Sequence, residues 1–290
     1  MLKQYTLTAG KLVDDAAGKD VLLFINPSEE EKKTLLEEYQ LDAHTLASCF
    51  DPNELGRLEF EPGHVALILK RPKRYSSDDQ FLLKVLSIGR FLFNDKLVIA
   101  ATEEGQILEG RQYQNVRSLS DLLLKIIYTC ILHFEQHLQV IRQISDELEE
   151  QINRSTDNKH LLFMFNLEKS LVYYLSAISS NSRVIERLKA NTAKLNFTND
   201  EKDLLDDAAI ENAQCYEQGN VYSEVLSSMM DARVSIVSNN LNMLIKRLTI
   251  YMISIMAANL TESLFSMNVK LPFAGDQTFL SFWIIVGMTA

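Results

Sequence analysis

The sequence predicts an α+β membrane protein: a cytoplasmic α/β domain, then a long helical hairpin, then a very long helix that runs on into a transmembrane span. Three observations predict it. Short apolar, strand-like runs alternate with a helical pattern up to about residue 117, no proline occurs after Ser118 until Pro272, and from Leu248 onward almost every residue is apolar or small and uncharged.

In the first domain (1–117) the strand-like runs are VLLFI (21–25), HVALILK (64–70), FLLKVLSIGRFLF (81–93) and KLVIAAT (96–102). They predict a largely buried sheet. SEEEKKTLLEEYQL (28–41) predicts a helix opened by Ser28 and three acids. In the hairpin (118–198), apolar residues recur at three and four spacing through Leu122, Ile126, Cys130, Phe134, Leu138, Ile141 and Ile144. This predicts one helix over about Leu119–Arg154, a polar break at NRSTDNKH (153–160), and a second helix over about Leu161–Leu188. Thr198 and Glu201 form a capping box, and a third helix starts there with only Gly219 as an interruption before Ser266. At 1.5 Å per residue its roughly 65 residues would extend about 100 Å, a length that needs partners.

The cytoplasmic part of that helix is 199–247, and the span is Leu248–Phe265, with Glu262 as its one charge. About 20 apolar residues cross a bilayer. Lys246 and Arg247 place the start of the span at the cytoplasmic surface, so Ser266-Met267-Asn268 emerges outside in a short loop, 266–278. FLSFWIIVGMTA (279–290) is expected to be the start of a second span whose end lies beyond this sequence. MLKQYTLTAGKLVDD has no signal-peptide pattern. The expected place is the cell (inner or plasma) membrane, multi-pass, with the N-terminal domain in the cytoplasm.

A net charge of −10, from 29 basic and 39 acidic residues, argues against a nucleic-acid partner. The excess acid suits cations or simply keeps helix faces solvated. Cys49, Cys130 and Cys215 are scattered and read as reduced thiols. His133 and His137 stand four apart, but the text is HFEQH and no third ligand is evident, so a packed or solvated pair is the better account. No Gly-rich phosphate loop, nucleophile elbow or triad occurs, so neither an enzyme nor an organic cofactor is expected.

Within the long helix, Asp231, Ser235, Ser238 and Asn242 fall at steps of four, three and four and share one face, flanked by Val234, Val237, Leu241 and Leu244. A polar stripe leading into a span suits a symmetric bundle around a watery axis. The same side continues as Ile245, Thr249, Met252 and Met256, a greasy narrowing that can gate by dewetting. The alternative is that these residues face lipid or neighbouring helices.

This order of elements resembles the CorA family of divalent metal ion channels, whose hallmark is a Gly-Met-Asn turn after a stalk helix. SSMMDARVSIVSNNLNMLIKRLTI (227–250), the span, and Ser266-Met267-Asn268 look like its stalk-to-loop register. The resemblance implies a homopentamer in the lipid bilayer, conducting hydrated divalent cations, chiefly Mg²⁺ with Co²⁺ or Ni²⁺ besides, and regulated by cytoplasmic Mg²⁺. It implies an outer ring of Asn268 amides for the hydrated ion, with Met267 packing. Asn242 would be the inner polar ring, and Ile245, Leu248, Met252 and Met256 the hydrophobic constriction. Asp231 would face the inner pore, and Asp207 would hold a regulatory Mg²⁺. Three departures stand out: Ser266 for the family glycine, Ala257 for a proline found in many members, and Glu262 within the span. A zinc transporter of the same fold and a non-conducting, membrane-anchored coiled-coil scaffold are the competing expectations.

Overall fold

The computed structural model describes residues 1–15, 17–74, 82–103, 107–108, 110–154, 159–266, 283 and 287. The chain separates into two units, Met1–Ser228 and Met229–Ala290.

The first unit is built on a seven-stranded sheet. Its strands are β1 (Leu2–Thr8), β2 (Lys11–Asp14), β3 (Val21–Ile25), β4 (Arg57–Glu61), β5 (His64–Pro72), β6 (Val85–Phe93) and β7 (Leu97–Ala101), in the order β2-β1-β3-β7-β6-β5-β4. Only β3 and β7 run parallel, with Val21 opposite Leu97; every other neighbouring pair is antiparallel. The sheet is therefore mixed, made chiefly of hairpins joined through one parallel pair. Every residue of β3 and β7 is buried, as their unbroken apolar runs require of strands covered on both faces.

One face packs under two short helices, α1 (Glu29–Glu37) and α2 (Ala43–Ser48). Leu35, Leu41, Leu46 and Cys49 meet Leu22, Phe24, Ala66, Ile68, Phe91, Val98 and Ala100 there. Ser28 caps α1: its hydroxyl accepts from the Glu31 amide at 3.2 Å, and the Glu31 carboxylate accepts from the Ser28 amide at 2.8 Å. The helix ends four residues earlier than the pattern 28–41 suggests, and Gln40 follows it in the left-handed region at φ 52°. Asp42 then starts α2 by accepting from the Thr45 amide at 2.8 Å.

Two long helices, α3 (Leu119–Arg154) and α4 (Lys159–Ala190), pack on each other and on β5 and β6. Leu122, Ile126, Cys130, Phe134, Leu138 and Ile141 of α3 are buried, and Ile144 is half-buried. Buried Leu167, Leu171, Tyr174 and Ile178 line α4 at the same helical spacing.

Helix α4 also completes the sheet. Strand β4 pairs with β5 only from His64 to Ile68. Just beyond, the Asn181 amide replaces a strand, accepting from the Lys70 N–H and donating to the Lys70 carbonyl, both at 2.8 Å. Ser180 accepts from the Gly56 N–H at 2.6 Å, and Ser170 from the Leu83 N–H at 2.8 Å. These bonds satisfy backbone groups that are buried at Lys70 and Leu83 and half-buried at Gly56.

Helix α5 (Asn199–Phe265) opens on the expected capping box. The Thr198 hydroxyl accepts from the Glu201 amide at 3.3 Å, and Glu201 Oε2 accepts from the Thr198 amide at 2.8 Å. Glu201 Oε1 accepts from the Ser118 hydroxyl at 2.6 Å, and Arg117 pairs with Asp200, so the start of α5 is tied to the start of α3. In the first unit α5 buries Leu205, Ala208, Cys215 and Leu226. Asn212 donates to the Ser182 hydroxyl at 2.7 Å, and Gly219 lies close against Leu175 of α4 without interrupting the helix.

Candidate functional site

The residues that the sequence singles out fall in both units. In the second, Asp231, Ser235, Ser238 and Asn242 are all exposed on one side of α5, followed by exposed Ile245, Leu248, Met252 and Met256. Among the described residues two helical stretches are long and apolar enough to cross a bilayer, Leu161–Ala190 and Asn199–Ser263. Burial separates them. The apolar window of the first is 39% buried, as suits α4 packed in a core, whereas that of the second is 0% buried. Val234, Leu241, Leu244, Tyr251, Ile253, Ile255 and Leu260 add to the uncovered surface. So much contiguous apolar surface requires lipid or other chains against it.

Several hydroxyls of this segment are satisfied by the helix itself. Ser235 donates to the Asp231 carbonyl at 3.0 Å, Thr249 to Ile245 at 2.8 Å, Ser254 to Ile250 at 2.9 Å and Thr261 to Ala257 at 2.9 Å. From Leu248 to Ala258 the hydroxyls of Thr249 and Ser254 therefore add little polarity to an otherwise apolar surface, which Asn259 and Glu262 then interrupt. Lys246 and Arg247 mark the edge of that surface. At the far end, the Ser266 N–H donates to the Glu262 carbonyl at 3.0 Å, and its hydroxyl to the Ser263 carbonyl at 2.9 Å. Ser266 is not among the residues with left-handed backbone, so a serine carries no conformational penalty there. Met267 and Asn268 lie outside the described residues.

In the first unit, Asp207 is exposed beside Asp206, which pairs with Lys189 at 3.0 Å. The Tyr128 phenol of α3 is pushed up by burial and then by the charges of Glu211, Asp207 and Glu135. The charges of three carboxylates on two helices are thus felt at one ring. Sequence inspection misses Glu135 and Glu211, although Glu211 stands one helical turn after Asp207. Their hard oxygens suit Mg²⁺, but among the described residues no group of three or more acids, histidines or cysteines is arranged to hold a metal ion alone. His137 is not a ligand in waiting. Its Nδ1 lies 2.7 Å from the Tyr174 hydroxyl, and burial, then the neighbouring His133, bring its pKa down to about 4.

Comparison with known proteins identifies the family. The model of the CorA-like Mg²⁺ transporter proteins matches residues 22–290. The chain belongs to that family. CorA-like proteins are membrane transporters of divalent cations and not enzymes. The cobalt/magnesium transport protein CorA of Methanocaldococcus jannaschii is 22% identical over 274 residues, covering 91% of this chain and 84% of the relative. The complete structure of that CorA aligns over 99% of this chain and 92% of its own, with TM-score 0.82 at 20% identity. The full-length CmaX protein aligns over 100% and 95%, with TM-score 0.71 at 14% identity. The ZntB cytoplasmic domain from Vibrio parahaemolyticus covers 82% of this chain and 98% of its own, with TM-score 0.64 at 15% identity. At such identities the structures establish the CorA fold, a mixed-sheet domain followed by long helices.

Proposed function

We propose that this CorA-family chain is a gated channel for the influx of hydrated divalent cations, chiefly Mg²⁺, that assembles as a homopentamer and closes when cytoplasmic Mg²⁺ binds. One observation carries it: a single helix face passes from Asp231, Ser235, Ser238 and Asn242 to Ile245, Leu248, Met252 and Met256 with none of it covered among the described residues. Repeated around an axis, that face makes a watery vestibule leading to a constriction wetted only when the helices part. Lys246 and Arg247 orient the vestibule to the cytoplasm. The Asn268 amides at the other mouth would hydrogen-bond the water shell of an ion that dehydrates reluctantly.

The match to a ZntB domain brings zinc into consideration. From Met229 onward the chain contains no histidine or cysteine, so every donor it offers along that path is a hard oxygen or a thioether. That set suits Mg²⁺ better than Zn²⁺, which favours imidazole and thiolate. The full-length protein in proteoliposomes should pass Mg²⁺ down its gradient without an energy source. Faster Zn²⁺ than Mg²⁺ entry would favour the zinc transporter, and no flux of any divalent ion would leave the scaffold.

Closure is assigned to carboxylates that repel one another until a cation sits among them. Asp207, exposed on the first unit, would supply one such carboxylate from each subunit. Asp207→Ala should keep the channel conducting at internal Mg²⁺ concentrations that shut the parent protein. Identical inhibition curves in the two would remove Asp207 from regulation.

A further inference from the structure

Two arginines of the sheet lie buried where no carboxylate pairs with them among the described residues. Arg71 of β5 and Arg90 of β6 project from one face of the sheet toward α3 and are 6% and 0% exposed. Arg71 Nη2 donates to the Glu103 carbonyl at 2.9 Å, and Arg90 Nη2 to Cys130 Sγ at 3.0 Å. Three further donors, Arg71 Nε and Arg90 Nε and Nη1, are buried and have no hydrogen-bond partner among the described residues. The Glu103 carboxylate is turned to Lys73, at 3.2 Å.

Both arginines line a chamber of about 10 Å³ between the sheet and α3, with Ile88, Ile107, Ile126, Thr129, Cys130 and His133 around it. The Thr129 hydroxyl donates to the Lys125 carbonyl at 2.8 Å, so its proton is already engaged. Burial, then the charge of Arg71, hold the His133 pKa down, and the ring adds no positive charge of its own at neutral pH. Guanidinium groups stay protonated at any cellular pH. Two of them in a low-dielectric interior repel each other and have lost their hydration, a state that persists only with a compensating negative charge. A water molecule would accept their hydrogen bonds but supply no charge. The chamber has room for about one sphere of water size, which excludes sulfate or phosphate.

We infer that this chamber is a binding site for one monatomic anion, chloride in the cell, held between Arg71 and Arg90 and clamping β5 and β6 to α3. Crystals of the full-length protein grown in bromide should show one anomalous peak in the chamber, in hydrogen-bond contact with both guanidinium groups. Density of water strength without an anomalous signal would overturn the assignment. In solution, melting of the full-length protein in sodium chloride should lie about 3 °C above that in sodium gluconate of equal ionic strength, saturating as chloride replaces gluconate. Arg90→Met should abolish that difference, and an equal chloride effect in variant and parent would count against the site. If Arg90→Met does not fold, the bromide experiment on the unaltered protein decides alone.

Discussion

Asn268→Ala is expected to abolish Mg²⁺ uptake in cells that lack other Mg²⁺ importers, while leaving the amount of protein in the membrane unchanged. The neutral amide oxygen is the one group in Ser266-Met267-Asn268 suited to hold the water shell of a divalent ion, since the thioether of Met267 is a soft, weak acceptor. A hydrogen bond toward a charged centre contributes about 1.5 kcal/mol or more, about tenfold in occupancy, and the substitution removes one from every subunit at once. Alanine also leaves the mouth apolar. Uptake at the parental rate would mean that ions are selected elsewhere, with the Asp231 to Asn242 face as the next place to look. Because Ser266 has an ordinary backbone conformation, restoring the family glycine there should change transport far less than Asn268→Ala does.

Gly89→Ala should cost the first unit about 3 kcal/mol, the upper range for overpacking a core. Gly89 sits in β6 between Ile68 and Ala100 of its neighbouring strands, on the face covered by α2. A Cβ built there falls inside the contact radius of the Cys49 sulfur and 3.0 Å from the Cys49 Cβ. Cys49 cannot withdraw easily. It is 0% exposed, and its Sγ donates to the Thr45 carbonyl at 3.1 Å. Burial also pushes its thiol pKa up to about 12, so no charge draws it toward solvent. Thermal or urea unfolding of Gly89→Ala would measure the loss. Cys49→Ala in the same chain should restore part of it, since the sulfur is gone but the Cβ remains, and Cys49→Gly more. A Gly89→Ala protein as stable as its parent would show that the strand and α2 do not meet as described.

How far these features were legible in the sequence follows from how much each depends on distant contacts. The core of α3 was readable because Leu122 through Ile141 repeat at the helical period, and the starts of α1 and α5 because Ser28 and Thr198 cap through their own third residue. Strands β1 and β2 were not, since LKQYTLT and KLVD form a half-exposed edge with few apolar residues. RLEFE was passed over as well, although Pro62-Gly63 before HVALILK is a turn signal between two strands. Helix α2, with six residues, is too short to show a period. Arg71 and Arg90 look like solvent-facing strand residues in one dimension, and only the sheet shows that both point inward. The stripe from Asp231 to Met256 was readable as one face, because a single helix defines it. What that face meets depends on other copies of the chain, which no single chain contains.

The single parallel pair has a consequence for how the protein is made. Strand β3 is synthesised early, yet its partner β7 follows only after β4, β5 and β6, so the sheet cannot close until Ala101 has been translated. Asn181 adds the last piece of edge pairing. Both events involve residues made before Leu248, so the ribosome releases a chain able to complete its first unit ahead of its greasiest segment. A mixed sheet with a distant closing strand is slow to form. Here the slow step comes early in translation, and the segment most prone to aggregate reaches the membrane tethered to a partner that has already folded.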